Sequence, residues 1–353
     1  MLESLRLVNF RCFEQVSLSL EAPGRVFVGE NAQGKTSLLE AVCLLLRLQS
    51  PRARQTRPLI REGSEGFGVA GETGGRELQV RGDRKGLSLR VDGEEVGVRR
   101  EYLSESGLVV WMGNEDLDLV RGGGESRRRF LDFVAMQADS SYRHHWGRYR
   151  KALAARNRYL KSYPPREGVV TAYTRMLIED GNEIIRIRQE LCERLGPAAE
   201  KNQLAISGKE EVLGVSYLDR AKGDLEAAFA SVEDLEARRG VTLAGPHRDD
   251  VKLTIGGRSA REYGSEGQQR TVALALKLAQ GDLLRSRGAG GKAPVFLIDD
   301  VFGELDPGRR NALMALLPKE SQKMITTTNL DWWKAEGLDL GVSEVREGRV
   351  VEL

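Results

Sequence analysis

Cysteine is scarce in this sequence of 353 residues: Cys12, Cys43 and Cys192 are odd in number and far apart. That excludes a disulfide framework or paired zinc-ligand spacing and fits a reducing cytosol. Histidine is as rare, with only His144, His145 and His247. The neighbouring pair cannot share one helix face, so no helical metal pair is readable. His247, within "GPHRDD", reads more readily as structural than as catalytic. Charge of one sign is missing too: 54 Lys and Arg stand against 52 Asp and Glu, a net +2. The molecule is no polycation, so any attraction to nucleic acid has to come from local clusters. Apolar runs are broken by Arg47 or Lys277, well short of a membrane span. The start "MLESLRLVNF" has no basic segment followed by an apolar one, so no secretion signal is expected. Together these absences predict a cytoplasmic chain with no membrane partner.

What is present organises into β-rich ends around a helical middle. "LRLVNFRCF" and "VSLSLEAPG" alternate as strands do, and "RVFVGE" is a short apolar strand leading to the helix "KTSLLEAVCLLLRL". "ELQVRGDRKGLSLRVDG" reads as a hairpin and "LVVWMG" as a buried strand. From about Asp116 helical composition takes over, broken at "SYPPREG" and at Gly196-Pro197, and continuing to about Arg239. Strands return with "VKLTIGG", "APVFLIDD", "KMITTTN" and the closing hairpin "EVREGRVVEL"; "RSRGAGGKAP" reads as a loop. The ends are expected to fold together as an α/β lobe, residues 1–115 and 285–353. Residues 116–284 form a mainly helical second lobe of short helices, without heptads enough for a long coiled coil.

The chemistry is concentrated in three stretches. "GENAQGKT", Gly29 to Thr36, matches G-x-x-x-x-G-K-[ST] in full and lies between a strand and a helix. Glycines let backbone N–H groups turn inward around phosphate, and the helix N-terminus adds partial positive charge. Gly29, Glu30, Asn31, Ala32, Gln33, Gly34, Lys35, Thr36 and Ser37 are the expected ATP cradle. Lys35 is assigned to the β- and γ-phosphates and Thr36 to Mg²⁺. In "PVFLIDD" a buried strand ends in two carboxylates: Asp299 is expected to hold Mg²⁺ and Asp300 to polarise the attacking water. In "YGSEGQQRTVALALKLA" Ser265 stands near the N-cap of an apolar helix, a natural place for a γ-phosphate, with Gly267 allowing close approach.

A phosphate loop, a Ser-x-Gly-Gln helix and an "LIDD…ELD" strand-turn, in that order, resemble an ABC-type ATPase head of the branch that includes SMC and RecF proteins. "LRLVNFRCFE", "EDLDLVRGGGESRRRFLD", "GPHRDD", "SEGQQRTVALALKLA" and "LIDDVFGELDPGRR" resemble the RecF family of bacterial recombination mediators over almost the whole chain. The family pattern usually has Pro where this chain has Asn114 and Gly124, and Ser or Ala where it has Gly303; these affect loop stiffness more than chemistry. The resemblance implies an ATP-induced dimer. In it Ser265, Gly267 and Gln268 of one subunit cap the ATP held by the other, and Gln268, Gln269 and Arg270 fix the loop or the opposing strand-turn. It also implies that Asn114 reports γ-phosphate and Mg²⁺ to the second lobe, and that Thr326, Thr327 and Thr328 replace a switch histidine. With Asp300 as base, weak, DNA-dependent and slow hydrolysis is expected.

Two basic stretches have no acidic residue: Arg47, Arg52, Arg54, Arg57 and Arg61 in one, and Arg143, Arg148, Arg150, Lys151, Arg156, Arg158, Lys161 and Arg166 in the other. In the second, Tyr142, Trp146, Tyr149, Tyr159 and Tyr163 interleave. Cations with aromatics suit nucleic acid; a solvated helix whose tyrosines enter the core reads equally well. The resemblance favours double-stranded DNA near single-stranded gaps and junctions, with Arg148, Arg150, Lys151 and Arg156 as contacts and with RecR, and RecO indirectly, as partners. An SMC-like tether head and a P-loop small-molecule kinase are the alternatives; the first lacks its coiled coil and the second has no use for "SEGQQR".

Overall fold

Alternating burial builds the first sheet. β1 (Ser4–Phe10) and β2 (Phe13–Ser19) pair antiparallel, setting Leu5 against Leu18 and Leu7 against Val16, all buried on one face. This computed structural model describes residues 1–20, 22–53, 55–162, 167–208, 211–287, 293–330 and 340–353. Arg54, Tyr163, Arg166, the break at residues 163–166 and the centre of the glycine-rich stretch at 288–292 therefore lie outside the described residues. After β2 the chain enters β3 (Gly24–Val28) and then α1 (Lys35–Arg47). β4 (Gly66–Thr73), β5 (Arg76–Asp83), β6 (Leu87–Val91) and β7 (Glu94–Glu95) complete a six-stranded sheet in the order β2-β1-β4-β5-β6-β7. α2 (Arg99–Glu105) and β8 (Val109–Gly113) follow.

Helix α1 is apolar almost all round, because it packs against strands of both sheets of its unit. Leu38, Leu39, Ala41, Val42, Cys43 and Leu45 are all within 1% of full burial. Burying each leucine is worth about 1.5–3 kcal/mol. Glu40 is fully buried in the same helix, and Arg11 answers it with two bonds at 2.7 and 2.8 Å.

Two compact units divide the chain: Met1–Glu115 with Leu284–Leu353, and Asp116–Leu283. The second unit begins with α3 (Asp118–Arg121), α4 (Gly124–Ala138) and α5 (Ser140–Leu160). α6 (Glu167–Ser207) then runs for 41 residues. This corrects the expectation of short helices only: the predicted break at Gly196-Pro197 does not occur. A proline inside a helix costs about 3 kcal/mol. Here Leu191, Leu195, Ala199 and Ile206 form a buried stripe that continues past it, so tertiary packing overrides the local signal. β9 (Leu213–Leu218), read from sequence as helix, pairs antiparallel with β10 (Asp250–Ile255), which also pairs with β11 (Arg258–Ser259). α7 (Leu225–Arg239), α8 (Ala260–Tyr263) and α9 (Glu266–Arg287) complete this part of the chain.

Back in the first unit, β12 (Val295–Asp299), α10 (Pro307–Leu316), β13 (Lys323–Thr327), β14 (Gly341–Arg346) and β15 (Arg349–Glu352) build the second sheet, in the order β15-β14-β3-β13-β12-β8. From β14 through β3, β13 and β12 to β8 every pair is parallel. Such strands are buried on both faces and read as continuous apolar runs; Val295, Phe296, Leu297 and Ile298 are at most 3% exposed. Ligands of open parallel sheets bind beyond the carboxyl ends of the strands.

Candidate nucleotide site

Residues 29–34 leave β3 as a loop, and α1 begins at once. Gly34 takes φ 110, a left-handed conformation suited to glycine. A Cβ there would come within 2.6 Å of Cys12 Sγ and 2.8 Å of the Phe13 ring. Gly29 is as confined, since its Cβ would lie 2.3 Å from the Val345 carbonyl oxygen. Gln33 is fixed by accepting the Glu347 N–H at 2.6 Å, while Glu30, Asn31 and Ala32 are exposed. No side chain caps α1, so its leading N–H groups point into the loop, the arrangement that binds anions. Lys35 donates to the carbonyls of Gly29 (2.6 Å) and Glu30 (2.7 Å). Burial lowers its pKa, and the charges of Asp300 and Asp299 oppose that shift.

The parallel ladder carries the second part of the site to the same edge. Asp299 on β12 stands beside Thr326 on β13 and beside Gly113 on β8; Thr326 in turn stands beside Phe27, one residue before the end of β3. Thr36 donates to Asp299 Oδ1 at 2.9 Å, and Thr326 donates to the same oxygen at 2.7 Å. Thr326 Oγ1 also accepts the Asp300 N–H at 3.0 Å. Thr326, at the place that the resemblance gives to a switch histidine, thus ties the Asp299 carboxylate to the backbone of Asp300. Asp300 sits at φ 53, the left-handed region that Asp tolerates better than most residues. Burial raises the pKa of both carboxylates. For Asp299 the hydrogen bonds from Thr326 and Thr36 oppose the rise, and for Asp300 the Lys35 ammonium does.

A cavity of 430 Å³ lies over this constellation. The loop residues Asn31, Ala32, Gly34, Lys35, Thr36 and Ser37 line it together with Asp299 and Asp300. Arg11, Cys12, Arg52, Pro58 and Ile60 line it as well, and motif spacing did not find them in this role. Arg11 takes φ 55 in the β1–β2 turn and donates to the Pro58 carbonyl at 2.7 Å. The residues present suit a triphosphate with a hard cation: Lys35 and free helix N–H groups for phosphate, and the oxygens of Thr36 and Asp299 for Mg²⁺. That ion usually takes one or two protein oxygens and completes its shell with phosphate and water. Next to β8, Asn114 opens a 3₁₀ turn and donates to Glu304 Oε1 at 2.7 Å.

In the second unit Ser265 caps α9 reciprocally. Its N–H donates to Gln268 Oε1 at 2.7 Å, and its hydroxyl accepts the Gln268 N–H at 3.3 Å; this is a capping box. Gln268 Nε2 donates to Glu211 at 2.9 Å. Gln269, 7% exposed, donates to the carbonyls of Ala260 and Arg261 and accepts from Arg121 at 2.6 Å. Arg270 lies 3.6 Å from Glu266. Ser265 stays exposed and Gly267 half-buried.

"SRRRFLD" and "GPHRDD" meet inside this unit. Arg127 forks onto Asp250 at 2.7 and 3.0 Å, and Arg128 donates to the Asp249 carbonyl at 2.6 Å. Arg188, fully buried, donates to Asp132 at 2.6 Å and to the Pro246 carbonyl at 2.7 Å. His247 bridges Tyr149 (2.7 Å) and the Thr242 carbonyl (3.2 Å). Burial lowers its pKa to about 4, so it stays neutral in this network.

The proposed DNA contacts on α5 divide. Arg150 and Lys151 are exposed, whereas Arg148 lies between Glu179 (3.3 Å) and Asp180 (3.2 Å). Arg156 is a correction. It is 3% exposed and donates to Glu236 (2.6 Å), Thr174 (2.8 Å) and Thr242 (3.0 Å), which makes it a core residue. Tyr142 and Tyr149 are fully buried, so these two aromatics enter the core. Removing Arg156 would strand Glu236 without its buried partner. Arg156→Ala should therefore cost about 3–5 kcal/mol of stability, against about 0.5 or less for Arg150→Ala. Urea unfolding compares the two, and equal costs would return Arg156 to the surface.

The profile of the RecF/RecN/SMC N terminal domain family matches residues 1–349. A DNA replication and repair protein RecF from Synechococcus sp. (strain JA-3-3Ab) is 38% identical over 375 residues, covering 99% of this chain and 97% of the relative. The protein of that name from Bacillus pumilus (strain SAFR-032) is 33% identical, covering 99% of this chain and all of the relative. A solved structure of the recombination mediator protein RecF-ATPrS in the RecFOR pathway superposes with TM-score 0.89 at 29% identity, over 100% of this chain and 98% of that one. An Smc head bound to the C-winged helix domain of ScpA shares the fold, with TM-score 0.59 at 16% identity over 100% of this chain and 97% of that one. With the phosphate loop, the paired carboxylates and the capped Ser-x-Gly-Gln helix in hand, these likenesses over the full chain make it a member of the RecF family of DNA replication and repair proteins, built on an ABC-type ATPase head.

Proposed function

We propose that this chain is an ATP-gated DNA-binding switch of recombinational repair, which hydrolyses ATP slowly. The carrying observation is the shared edge of the parallel sheet, where Thr36 and Thr326 converge on Asp299 and Asp300 lies beside Lys35. On this reading Thr36 and Asp299 hold Mg²⁺, Lys35 and the residue 29–37 loop hold the phosphates, and Asp300 is the base. Asn114, hydrogen-bonded to Glu304, reports γ-phosphate and Mg²⁺. Ser265, Gly267 and Gln268 complete the ATP site of a second copy, so that ATP closes a homodimer. The dimer binds double-stranded DNA near single-stranded gaps, with RecR and, through it, RecO as partners, in the cytoplasm. Among the described residues no helix is long and apolar enough to cross a membrane. The test is a titration of duplex DNA with and without ATP. Binding should require ATP and weaken with salt by a log–log slope of roughly −0.9 per phosphate neutralised. ATP-independent binding would remove the gate; no DNA binding with phosphate transfer to a small acceptor would make the protein a kinase.

A further inference from the structure

We propose that a basic cavity between the loop before β4 and the β5–β6 turn seats the phosphate backbone of duplex DNA. The inference rests on the DNA-binding reading above and says where in the first unit the DNA would sit. The cavity measures 510 Å³ and is lined by Gln55, Thr56, Arg57, Arg84, Lys85 and Gly86. Three of the six are cations and none is acidic. Arg57, Arg84 and Lys85 are exposed, and none has a carboxylate within ion-pair distance among the described residues. The three cations stand against one nearby carboxylate, that of Asp83 in the same turn; the excess positive charge repels itself, a cost that a bound polyanion removes.

Both walls are held in place. Arg57 begins a 3₁₀ turn (Arg57–Leu59) whose Leu59 is 3% exposed. That turn is fixed to β1–β2 by the Arg11 N–H donating to the Leu59 carbonyl at 2.9 Å and by the Arg11 side chain on Pro58 at 2.7 Å. Opposite it, Asp83 Oδ1 accepts the N–H groups of Lys85 (2.7 Å) and Gly86 (3.0 Å) and closes the turn. Asp83 thus shapes the turn with one oxygen, and its single charge offsets only part of the positive charge of Arg57, Arg84 and Lys85. The cations are thus presented on a preorganised frame, which lowers the ordering cost of binding.

The chemistry favours duplex backbone over other polyanions. Among the described residues no aromatic side chain lines the cavity, so they offer no stacking surface for unpaired bases. The cations do not stop at its rim: Lys85 also lines an adjoining trough of 830 Å³ on the face of the first sheet, where Arg81 is exposed and Arg6 pairs with Glu77. Arg57, Arg84, Lys85 and Arg81 thus line two adjoining cavities that share Lys85, and several cations on one surface suit the repeated phosphates of a backbone.

The test uses the full chain with ATP, a blunt duplex and a salt series. Arg57→Gln/Arg84→Gln/Lys85→Gln should bind more weakly and lose roughly two to three units from the log–log salt slope, at about 0.9 per cation. Arg57→Lys/Arg84→Lys, which keeps the charge, should retain the wild-type slope. An unchanged melting temperature shows that each variant is folded; should the triple variant unfold, the single Arg84→Gln, at the exposed turn, is read for a loss of about one unit. A folded neutral variant with wild-type affinity and slope would overturn the inference. So would sodium phosphate displacing DNA more strongly than sodium chloride of equal ionic strength, which would mark a pocket for a free anion. If the wild-type protein itself ignores duplex DNA with ATP present, the DNA-binding reading fails and this site with it; if only the variant matches wild type, that reading stands and this site alone fails.

Discussion

Asp300→Asn should keep ATP binding while hydrolysis falls by about 10²–10⁴-fold, the range ascribed to a positioned general base. The amide retains the left-handed turn at residue 300, which Asn also tolerates, and leaves the Thr36–Asp299–Thr326 hydrogen bonds in place. What it removes is the carboxylate facing Lys35. Lys35→Met should act at the earlier step. Its ammonium is the cation held against the loop carbonyls, and a thioether supplies no charge for the phosphates, so most ATP binding should go. Equilibrium nucleotide binding beside single-turnover hydrolysis separates the two effects. Normal turnover by Asp300→Asn would give the base to another group, and retained affinity in Lys35→Met would move the phosphates away from the loop.

The parts of this site that were legible in the sequence are those whose chemistry is local. "GENAQGKT" carries its conformational requirement within eight residues, and "PVFLIDD" places two carboxylates at the end of one apolar run. Strand order is not local. That β13 lies between β3 and β12 is what puts the Thr326 hydroxyl on both Asp299 and Asp300, and no spacing in the chain announces it. Arg11, Arg52 and Ile60 reach the nucleotide cavity for the same reason: the first sheet brings in residues that no phosphate-loop pattern includes. The helical lobe is less legible. Pro197 reads as a stop, yet the buried stripe on either side of it carries α6 through. Arg156 belonged to a run of cations without a single acid, but its partner Glu236 lies eighty residues on. A cluster counted along the chain cannot distinguish a solvated guanidinium from one with a buried carboxylate waiting for it.

Complementation tests the role assigned to Ser265. The capping box uses Ser265 as acceptor for the Gln268 N–H, which leaves the hydroxyl hydrogen free to donate, and the residue is exposed. A helix start with a free donor and partial positive charge suits a γ-phosphate. If that phosphate belongs to a second copy, Lys35→Met and Ser265→Arg should each be nearly inactive alone as ATPases. Mixed one to one with free exchange, random pairing makes half of the dimers mixed. Each mixed dimer joins one intact phosphate loop to one intact Ser265, so about a quarter of wild-type sites should return, as two-fold symmetry requires. The gain should appear only when both variants are present and should follow the product of their concentrations at low protein. Were Ser265 to serve the ATP of its own subunit, mixing would restore nothing, because every chain would carry a broken site. Strong hydrolysis by Ser265→Arg alone would sink the shared site, since the bulky cation would then stand at a helix start that touches no nucleotide.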